Sequence, residues 1–286
     1  MSVRIITDSA ADISQECAKE WNITVIPLKI RFEEEDGAEY LDGVTITNEQ
    51  FYQKLILEQK QPKTSQISPY DYEKVFQEVK EAGDTAVYIS LSSKISGSYQ
   101  SANIAADDYE GIVYIVDSLE FCIGQRILVE LAVRLRDEGK SAEEIAQTVK
   151  EEQKNVRLIA LFDTLEYLKR GGRLSKGKAF VGSVLSLKPV LTITDGEVEI
   201  LGKARGAKVG NNMLKEYVRK EGGIHFDKPY CLGYSGLSDE RMWQYVENSR
   251  ELYDGDVKAL PVAHVGAVIG TYAGPDAIAV AFFCQE

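Results

Sequence analysis

Cysteine and histidine are scarce in this chain of 286 residues. The few that occur are Cys17, Cys122, Cys231, Cys284, His225 and His264. The cysteines have no paired spacing, so neither a disulfide framework nor a zinc site is indicated, and free buried thiols are the expected state. With two histidines, a mechanism based on imidazole has very few candidates, and the sequence predicts neither a metal nor an organic cofactor.

Long apolar runs and an excess of positive charge are also missing. No stretch approaches the ~18 apolar residues that a bilayer-spanning helix needs. The N-terminal residues enter a strand pattern directly, without the profile of a secretory signal, so we expect a cytoplasmic protein that is not an integral membrane protein. The net charge of −12 argues against a nucleic-acid partner, because phosphate binding requires local positive potential.

The composition is that of a globular protein with a sizeable core, since 44% of the residues are hydrophobic and 27% are charged. The length favours two domains, which we place at residues 1–156 and 157–286. The first half alternates short apolar runs with longer periodic segments, the pattern of an α/β/α domain with a parallel sheet. Its expected strands are Val3–Thr7, Thr24–Leu28, Thr85–Ser90 and Gly111–Asp117, and its expected helices are Ser14–Trp21, Asn48–Leu57, Pro69–Ala82, Ser98–Ala106, Gly124–Glu138 and Ser141–Glu152.

The second half predicts an α/β domain with a mixed sheet. Asp195-Gly196 indicates a hairpin between two strands. An apolar helix, Gly177–Leu187, is expected to end before Pro189 and could line a tunnel or belong to an ordinary core. The remaining expected elements are strands Arg157–Phe162, Val190–Thr194, Glu197–Leu201, Tyr230–Tyr234, Lys258–Val262 and Ala277–Cys284, and helices Leu165–Leu168, Lys208–Lys220 and Asp239–Tyr253.

The segment 91–102 is the most informative part of the chain. It reads LSSKISGSYQSA and lies between a predicted buried strand and a predicted helix. Ser96 or Ser98 is a candidate N-cap, Gly97 allows close approach of a ligand, and the first helical turn offers free N–H groups. The segment therefore indicates an anion site for a carboxylate or phosphate, although a plain capped helix has the same pattern.

Other hydroxyl-rich segments follow strands or precede helices. Residues 7–9 (Thr-Asp-Ser) and 116–118 (Val-Asp-Ser) come directly after predicted strands, where ligands bind in parallel sheets. Residues 64–68, with Thr64 and Ser65, precede a predicted helix. Helix capping would explain any one of these segments. A ligand site is favoured because several such segments occur in the same chain.

Two further motifs fall short of known catalytic patterns. Residues 172–179 nearly match a phosphate-binding loop, but Ala179 lacks the hydroxyl that binds magnesium and the segment follows a helix. Residues 233–237 resemble a nucleophile elbow, but Leu237 replaces the final glycine. Lys169, Arg170 and Arg173 instead suggest a compact positive edge for an anion or a partner protein, and Arg205 beyond the hairpin could also reach an anion. Ordinary solvated surface charge explains both segments equally well.

Together these segments resemble the DegV family over essentially the whole chain and in order. The resemblance rests on residues 7–9, 64–66, 92–102, 116–118, 164–175, 188–191 and 203–205. It implies a two-domain α/β protein that binds a long-chain fatty acid at the domain junction. Some members are similar to the lipid-carrying subunit of bacterial fatty acid kinase, which presents the acyl carboxylate to a separate ATP-binding subunit.

By this resemblance, Thr64, Ser65 and Ser96 are expected to hold the carboxylate, with backbone donors from Gly97 and Ser98. Arg170, Arg173, Arg205 and Tyr272 would lie on the rim where phosphoryl transfer or partner docking occurs. The fatty acid would be a ligand, and the chain itself would not be an enzyme. The resemblance is also compatible with transient contact of the protein with a membrane.

The sequence departs from the family pattern at three positions. Tyr272 occupies the position where such proteins typically carry a histidine, and a phenol cannot act as a general base near neutral pH. Asp276 replaces a glycine four residues later, and Ile67 replaces a proline. The carrier role survives these changes better than a catalytic one. The alternatives are a stand-alone kinase related to dihydroxyacetone kinase, and a structural or regulatory protein without a ligand.

Overall fold

The computed structural model describes residues 2–174 and 187–285 of the chain. Its strands are β1 (Val3–Asp8), β2 (Ile23–Ile26), β3 (Lys29–Phe32), β4 (Glu39–Leu41), β5 (Pro62–Ser65), β6 (Thr85–Ser90), β7 (Val113–Asp117), β8 (Val156–Leu161), β9 (Leu187–Thr194), β10 (Glu197–Arg205), β11 (Tyr230–Tyr234), β12 (Val262–His264) and β13 (Ile278–Phe283). Its α-helices are α1 (Gln15–Glu20), α2 (Asn48–Tyr52), α3 (Pro69–Glu81), α4 (Ser98–Ala106), α5 (Cys122–Asp137), α6 (Ala142–Glu152), α7 (Glu166–Gly171), α8 (Ala207–Lys220), α9 (Glu240–Asn248) and α10 (Ala267–Ala273).

The first sheet is parallel and has the strand order β2-β1-β6-β7. Its central strands are buried on both faces, as their unbroken apolar runs predict: Ile5, Ile6, Val87 and Ile89 are fully buried. The predicted parallel α/β architecture of the first half is confirmed.

The second sheet has six strands in the order β10-β9-β8-β13-β11-β12. Its neighbouring strands run antiparallel except for β11 and β12, which pair in parallel, so the predicted mixed sheet is confirmed. Asp195 and Gly196 connect β9 to β10, both with positive φ, as a tight hairpin requires.

A third sheet, antiparallel and of order β4-β3-β5, is absent from the sequence prediction. Its strands are only three or four residues long, and the sequence predicts a loop where β5 lies. The alternation in β3, with Ile30 and Phe32 buried and Arg31 exposed, is the signal that could have revealed it. The sheet matters because β5 carries Thr64.

Other predictions at the level of single elements were wrong. The strand expected over Lys258–Val262 is a short 3₁₀ turn, Val257–Ala259, and β12 begins only at Val262. Helix α10 was missed. Leu187 begins β9 instead of ending a helix, and the rest of the predicted helix, residues 177–186, lies outside the described residues.

The main hydrophobic core extends from β1 and β6 through α5 to β13 of the second sheet. A second core lies between the six-stranded sheet and helices α8 and α9. The boundary at residue 156 or 157 stays a prediction. None of the helices in the described ranges combines the length and the apolar character needed to cross a membrane.

Candidate ligand-binding site

A cavity of about 240 Å³ lies between the loop before α4, strand β5, helix α10 and the hairpin of the second sheet. Most of its wall is apolar. The polar lining residues contact one another through the pairs Thr64–Tyr272, Tyr272–Arg173 and Gln66–Gly97, and we call this set the polar side of the cavity. The apolar lining consists of Leu28, Leu91, Ile95, Phe121, Phe162, Leu168, Val198, Val268, Ile269 and Ala273, and the other lining residues are Thr64, Ser65, Gln66, Ser96, Gly97, Arg173 and Tyr272. A cavity of this kind suits an amphipathic small molecule.

Thr64 and Tyr272 meet at the polar side of the cavity. The Thr64 Oγ1 atom lies 2.6 Å from the Tyr272 hydroxyl, and either can be the donor. Thr64 is placed there by the antiparallel pairing of β5 with Ile30 of β3, and Tyr272 by helix α10. Tyr272 thus occupies the binding pocket itself, together with the predicted carboxylate-binding residues.

The loop before α4 supplies Ser96 and Gly97. Gly97 is the N-cap of α4, without a side-chain cap, so the prediction that Ser96 or Ser98 is the N-cap was wrong. The Ser98 N–H instead donates to Ser96 Oγ over 3.2 Å, which occupies one of the backbone donors expected for a ligand. Ser98 is fully buried and does not line the cavity, so it supports the site from behind.

Gly97 permits a close contact with Gln66, which belongs to the 64–66 motif but is not among the predicted site residues. A Cβ atom on Gly97 would clash with the Gln66 side-chain oxygen. Gln66 also donates to the Ser101 hydroxyl over 3.0 Å, so its side chain closes over the start of α4. The contact explains why glycine suits this position although its φ of −79° is ordinary.

The three predicted rim arginines take different places. Arg173 lines the cavity, donates to the Ile95 carbonyl over 3.3 Å and stacks over the Tyr272 ring at 5.0 Å. Arg170 lines a neighbouring cleft of about 360 Å³ and donates to Glu166 over 2.8 Å. Arg205 is exposed at the end of β10 and lines neither space.

Helix α10 is held at its start by two buried aspartates. Asp12 accepts a hydrogen bond from the Gly266 N–H at 2.7 Å, and Asp42 accepts one from the Ala267 N–H at 3.0 Å. Burial raises the pKa of Asp12 to about 8 and that of Asp42 to about 6. This pair fixes the helix that presents Val268, Ile269 and Tyr272 to the cavity.

The acidic residues that end β1 and β7 do not line the cavity, so the alternative of a structural role applies to them rather than ligand contact. Asp8 is fully buried and accepts hydrogen bonds from the Tyr88 hydroxyl at 2.8 Å and the Leu91 N–H at 2.9 Å. Asp117 accepts the Ser93 N–H at 3.1 Å. Both carboxylates therefore hold the loop that carries Ser96, an indirect role that resembles helix capping more than ligand contact.

His264 does not replace the missing family histidine. Its ring stacks between Tyr52 and Tyr234, with centroid distances of 5.5 and 4.6 Å, and its Nε2 atom pairs with the Gly236 carbonyl at 2.8 Å. Burial lowers its pKa. This imidazole is a packed structural group away from the cavity lining.

Fold and cavity define an α/β protein with a small, largely apolar ligand pocket whose polar groups lie on one side. The family model of DegV, described as an uncharacterised protein family, matches residues 2–285. The chain belongs to the DegV family. A DegV domain-containing protein of Caldanaerobacter subterraneus subsp. tengcongensis is 39% identical over 281 residues, 98% of each chain.

Solved structures of the family share the fold. A fatty-acid-binding DegV protein from Thermus thermophilus is 31% identical, with a TM-score of 0.86 and full coverage of both chains. A stearic-acid-binding protein from Eubacterium ventriosum is 27% identical, with a TM-score of 0.84 over 98% of this chain and 97% of its own. DegV of Bacillus subtilis, also described as fatty-acid-binding, is 28% identical, with a TM-score of 0.82 over 98% of each chain.

Proposed function

We propose that this protein binds a long-chain fatty acid, with the carboxyl group beside Thr64 and Ser96 and the tail along the apolar wall. The observation that carries the proposal is the cavity itself, in which Thr64 of β5, Tyr272 of α10 and Ser96 of the loop before α4 line an otherwise largely apolar space. The fatty-acid-binding proteins of the same fold support it.

The acyl tail and the carboxyl head group contribute differently to the binding free energy. Burial of an acyl tail is worth ~0.8 kcal/mol per methylene, or roughly 10 kcal/mol gross for a long chain before ordering costs. Hydroxyl donors then need only orient the carboxyl group. Arg173 lines the cavity and contacts the Ile95 carbonyl and the Tyr272 ring, so it adds positive potential beside the polar residues without forming an ion pair with the ligand.

We further propose that the protein presents the bound acid to a separate ATP-binding kinase subunit for acyl phosphate formation. Arg170 and Arg173 lie at the cleft that adjoins the cavity, and this cleft shares Thr64 and Tyr272 with it. Arg205 belongs to the proposed docking surface only if the partner reaches the end of β10.

The binding proposal is tested on the purified protein by solvent extraction and mass spectrometry, followed by titration with oleate. We expect a C14 to C18 fatty acid in the extract, or saturable oleate binding. The absence of both the co-purified lipid and oleate binding would refute the proposal. ATP turnover by the isolated chain would favour the alternative of a stand-alone kinase. Acyl phosphate formation only with an added ATP-binding subunit would support the carrier role.

A further inference from the structure

The cleft of about 360 Å³ beside the cavity is rich in cations. Arg31 and Lys63 come from the three-stranded sheet, and Arg170 and Arg173 come from α7 and the residues that follow it. Among the described residues that line the cleft, Glu33 is the one carboxylate. Because the whole chain has a net charge of −12, this local excess of positive charge indicates a place for an anion.

Arg31 and Lys63 form an unfavourable pair within the sheet itself. They stand directly opposite each other in the antiparallel pairing of β3 with β5. Like charges at opposite positions destabilise a strand pair, so the fold alone gives no reason for two cations here. Lys63 forms an ion pair with Glu33. Glu39, the other cross-strand neighbour of Arg31, pairs with Lys29 over 3.3 Å, and no carboxylate of the described ranges forms an ion pair with Arg31.

Three side chains separate this cleft from the cavity. Thr64, Arg173 and Tyr272 line both spaces. The hydroxyls of Thr64 and Tyr272 are hydrogen-bonded at 2.6 Å, and the Arg173 guanidinium lies over the Tyr272 ring at 5.0 Å. When the two hydroxyls part, the apolar cavity and the cationic cleft join, and both hydroxyls can donate to an anion. Charge-assisted hydrogen bonds to an anion are stronger than the neutral one that they replace.

We infer that the joined space binds a single-chain lipid with a phosphate head group, its tail in the cavity and its phosphate in the cleft beside Arg31 and Lys63. This inference rests on the proposed function and deepens it, since the proposed kinase reaction forms such a lipid, an acyl phosphate. A phosphate carries a charge of about −1.5 to −2 near pH 7 and three acceptor oxygens, whereas a carboxylate carries one charge and two oxygens. The phosphate therefore gains more from cations that do not line the cavity.

The two cations from α7 and its end are already engaged. Arg170 donates to Glu166 over 2.8 Å, and Arg173 donates to two backbone carbonyl groups. A guanidinium has five N–H donors and an ammonium has three, so Arg31 and Lys63 keep donors for a ligand. Arg170 and Arg173 then add positive potential, while Arg31 and Lys63 supply hydrogen bonds to the phosphate oxygens.

Calorimetric titration of the full chain with oleyl phosphate and with oleate compares two head groups on one tail. We expect oleyl phosphate to bind about tenfold more tightly at pH 8, because each exposed cation contributes about 1.5- to fivefold. The preference should shrink near pH 6, where about half of the phosphate groups hold a second proton. A third titration, with 1-oleoyl lysophosphatidate, distinguishes the sources of the phosphate. Tighter binding of oleyl phosphate supports an acyl phosphate as the ligand, and tighter binding of lysophosphatidate supports a lysophospholipid in the same subsite.

Arg31→Gln and Lys63→Gln remove the two cations and leave the cavity lining intact. Each should reduce the preference for oleyl phosphate about two- to fivefold at pH 8, and the double variant should nearly abolish it, while oleate affinity stays within about twofold. Lys29→Gln is the matched control, because it removes a positive charge from the same strand as Arg31 but lines neither space. It should keep the preference of the wild-type protein.

The outcomes separate the two proposals. Failure of the wild-type protein to bind oleate refutes the fatty-acid function. Oleate binding without a preference for either phosphate lipid at pH 8 refutes the phosphate subsite and leaves the function standing. Equal losses of oleate and oleyl phosphate affinity in the Arg31 and Lys63 variants, or an equal loss of the preference in Lys29→Gln, would show a general effect of charge, which also contradicts the inference.

Discussion

The hydroxyls of Thr64 and Tyr272 lie 2.6 Å apart, although the two residues are 208 positions apart in the chain. The contact joins the three-stranded sheet to helix α10 across the polar side of the cavity. Tyr272 stands where the sequence resemblance leads us to expect a histidine, and here its hydroxyl is the hydrogen-bond partner of Thr64. The polar side of the cavity therefore joins two hydroxyls that come from distant parts of the chain.

Replacement of Tyr272 by phenylalanine removes this hydrogen bond and keeps the ring beneath Arg173. We expect oleate affinity to fall several-fold, since a neutral hydrogen bond contributes about 0.5 to 1.5 kcal/mol net. Tyr167→Phe is the matched control, because Tyr167 lines the neighbouring cleft only. An equal loss in both variants, measured by titration at fixed pH, would show that Tyr272 does not act through its hydroxyl.

Ser96→Ala should weaken head-group capture more strongly. The change leaves the Ser98 N–H without its acceptor and removes the hydroxyl that faces the cavity. A loss of ~1 to 3 kcal/mol in binding free energy is expected for a buried group that interacts with a charged ligand. Ser93→Ala, in the same loop but outside the cavity lining, should bind as wild type does; unchanged affinity of Ser96→Ala would remove Ser96 from the site.

The sequence predicts the parts of this site better than their assembly. Periodicity and capping patterns are local, so they predict β1, β6, α3 and α4 nearly to their observed ends. The short strand β5 has too few residues for its alternation to stand out, and the sequence does not show that Thr64 faces Tyr272. Gln66 was missed for the same reason, because its contact with Gly97 depends on how two separate loops pack.

A double-mutant cycle tests that contact. In Gly97→Ala the new methyl group must displace the Gln66 side chain, which breaks the hydrogen bond to Ser101. We expect a loss of roughly 1 kcal/mol in unfolding free energy, because the displaced group is the flexible end of an exposed side chain. Combination with Gln66→Ala should restore much of this loss, and urea denaturation of the four proteins gives the coupling. Strictly additive effects would contradict the contact.

The buried pair Asp12 and Asp42 predicts that the protein loses stability as the pH rises. Both carboxyl groups have higher pKa values in the folded state, about 8 and about 6, than in the unfolded chain. Their contribution to the free energy of unfolding is therefore fully present below about pH 4 and is lost as the pH rises through the folded values. The loss is at most ~1.4 kcal/mol for each pH unit over which the folded protein holds one proton more than the unfolded chain.

Asp12→Asn tests this decline. The amide oxygen retains an acceptor for Gly266, and asparagine suits the left-handed backbone at φ 51°, so the variant should fold and should lose less stability between about pH 5 and 8. Asp84→Asn is the control of opposite sign, because hydrogen bonds from Ser2 and Arg4 lower the Asp84 pKa to about 2 and its stabilisation is lost only on acidification. Urea midpoints from pH 5 to 8 measure the effect of Asp12→Asn, and midpoints below about pH 4 measure that of Asp84→Asn. A wild-type stability that rises from pH 5 to 8, or a decline equally steep in Asp12→Asn, would refute the prediction.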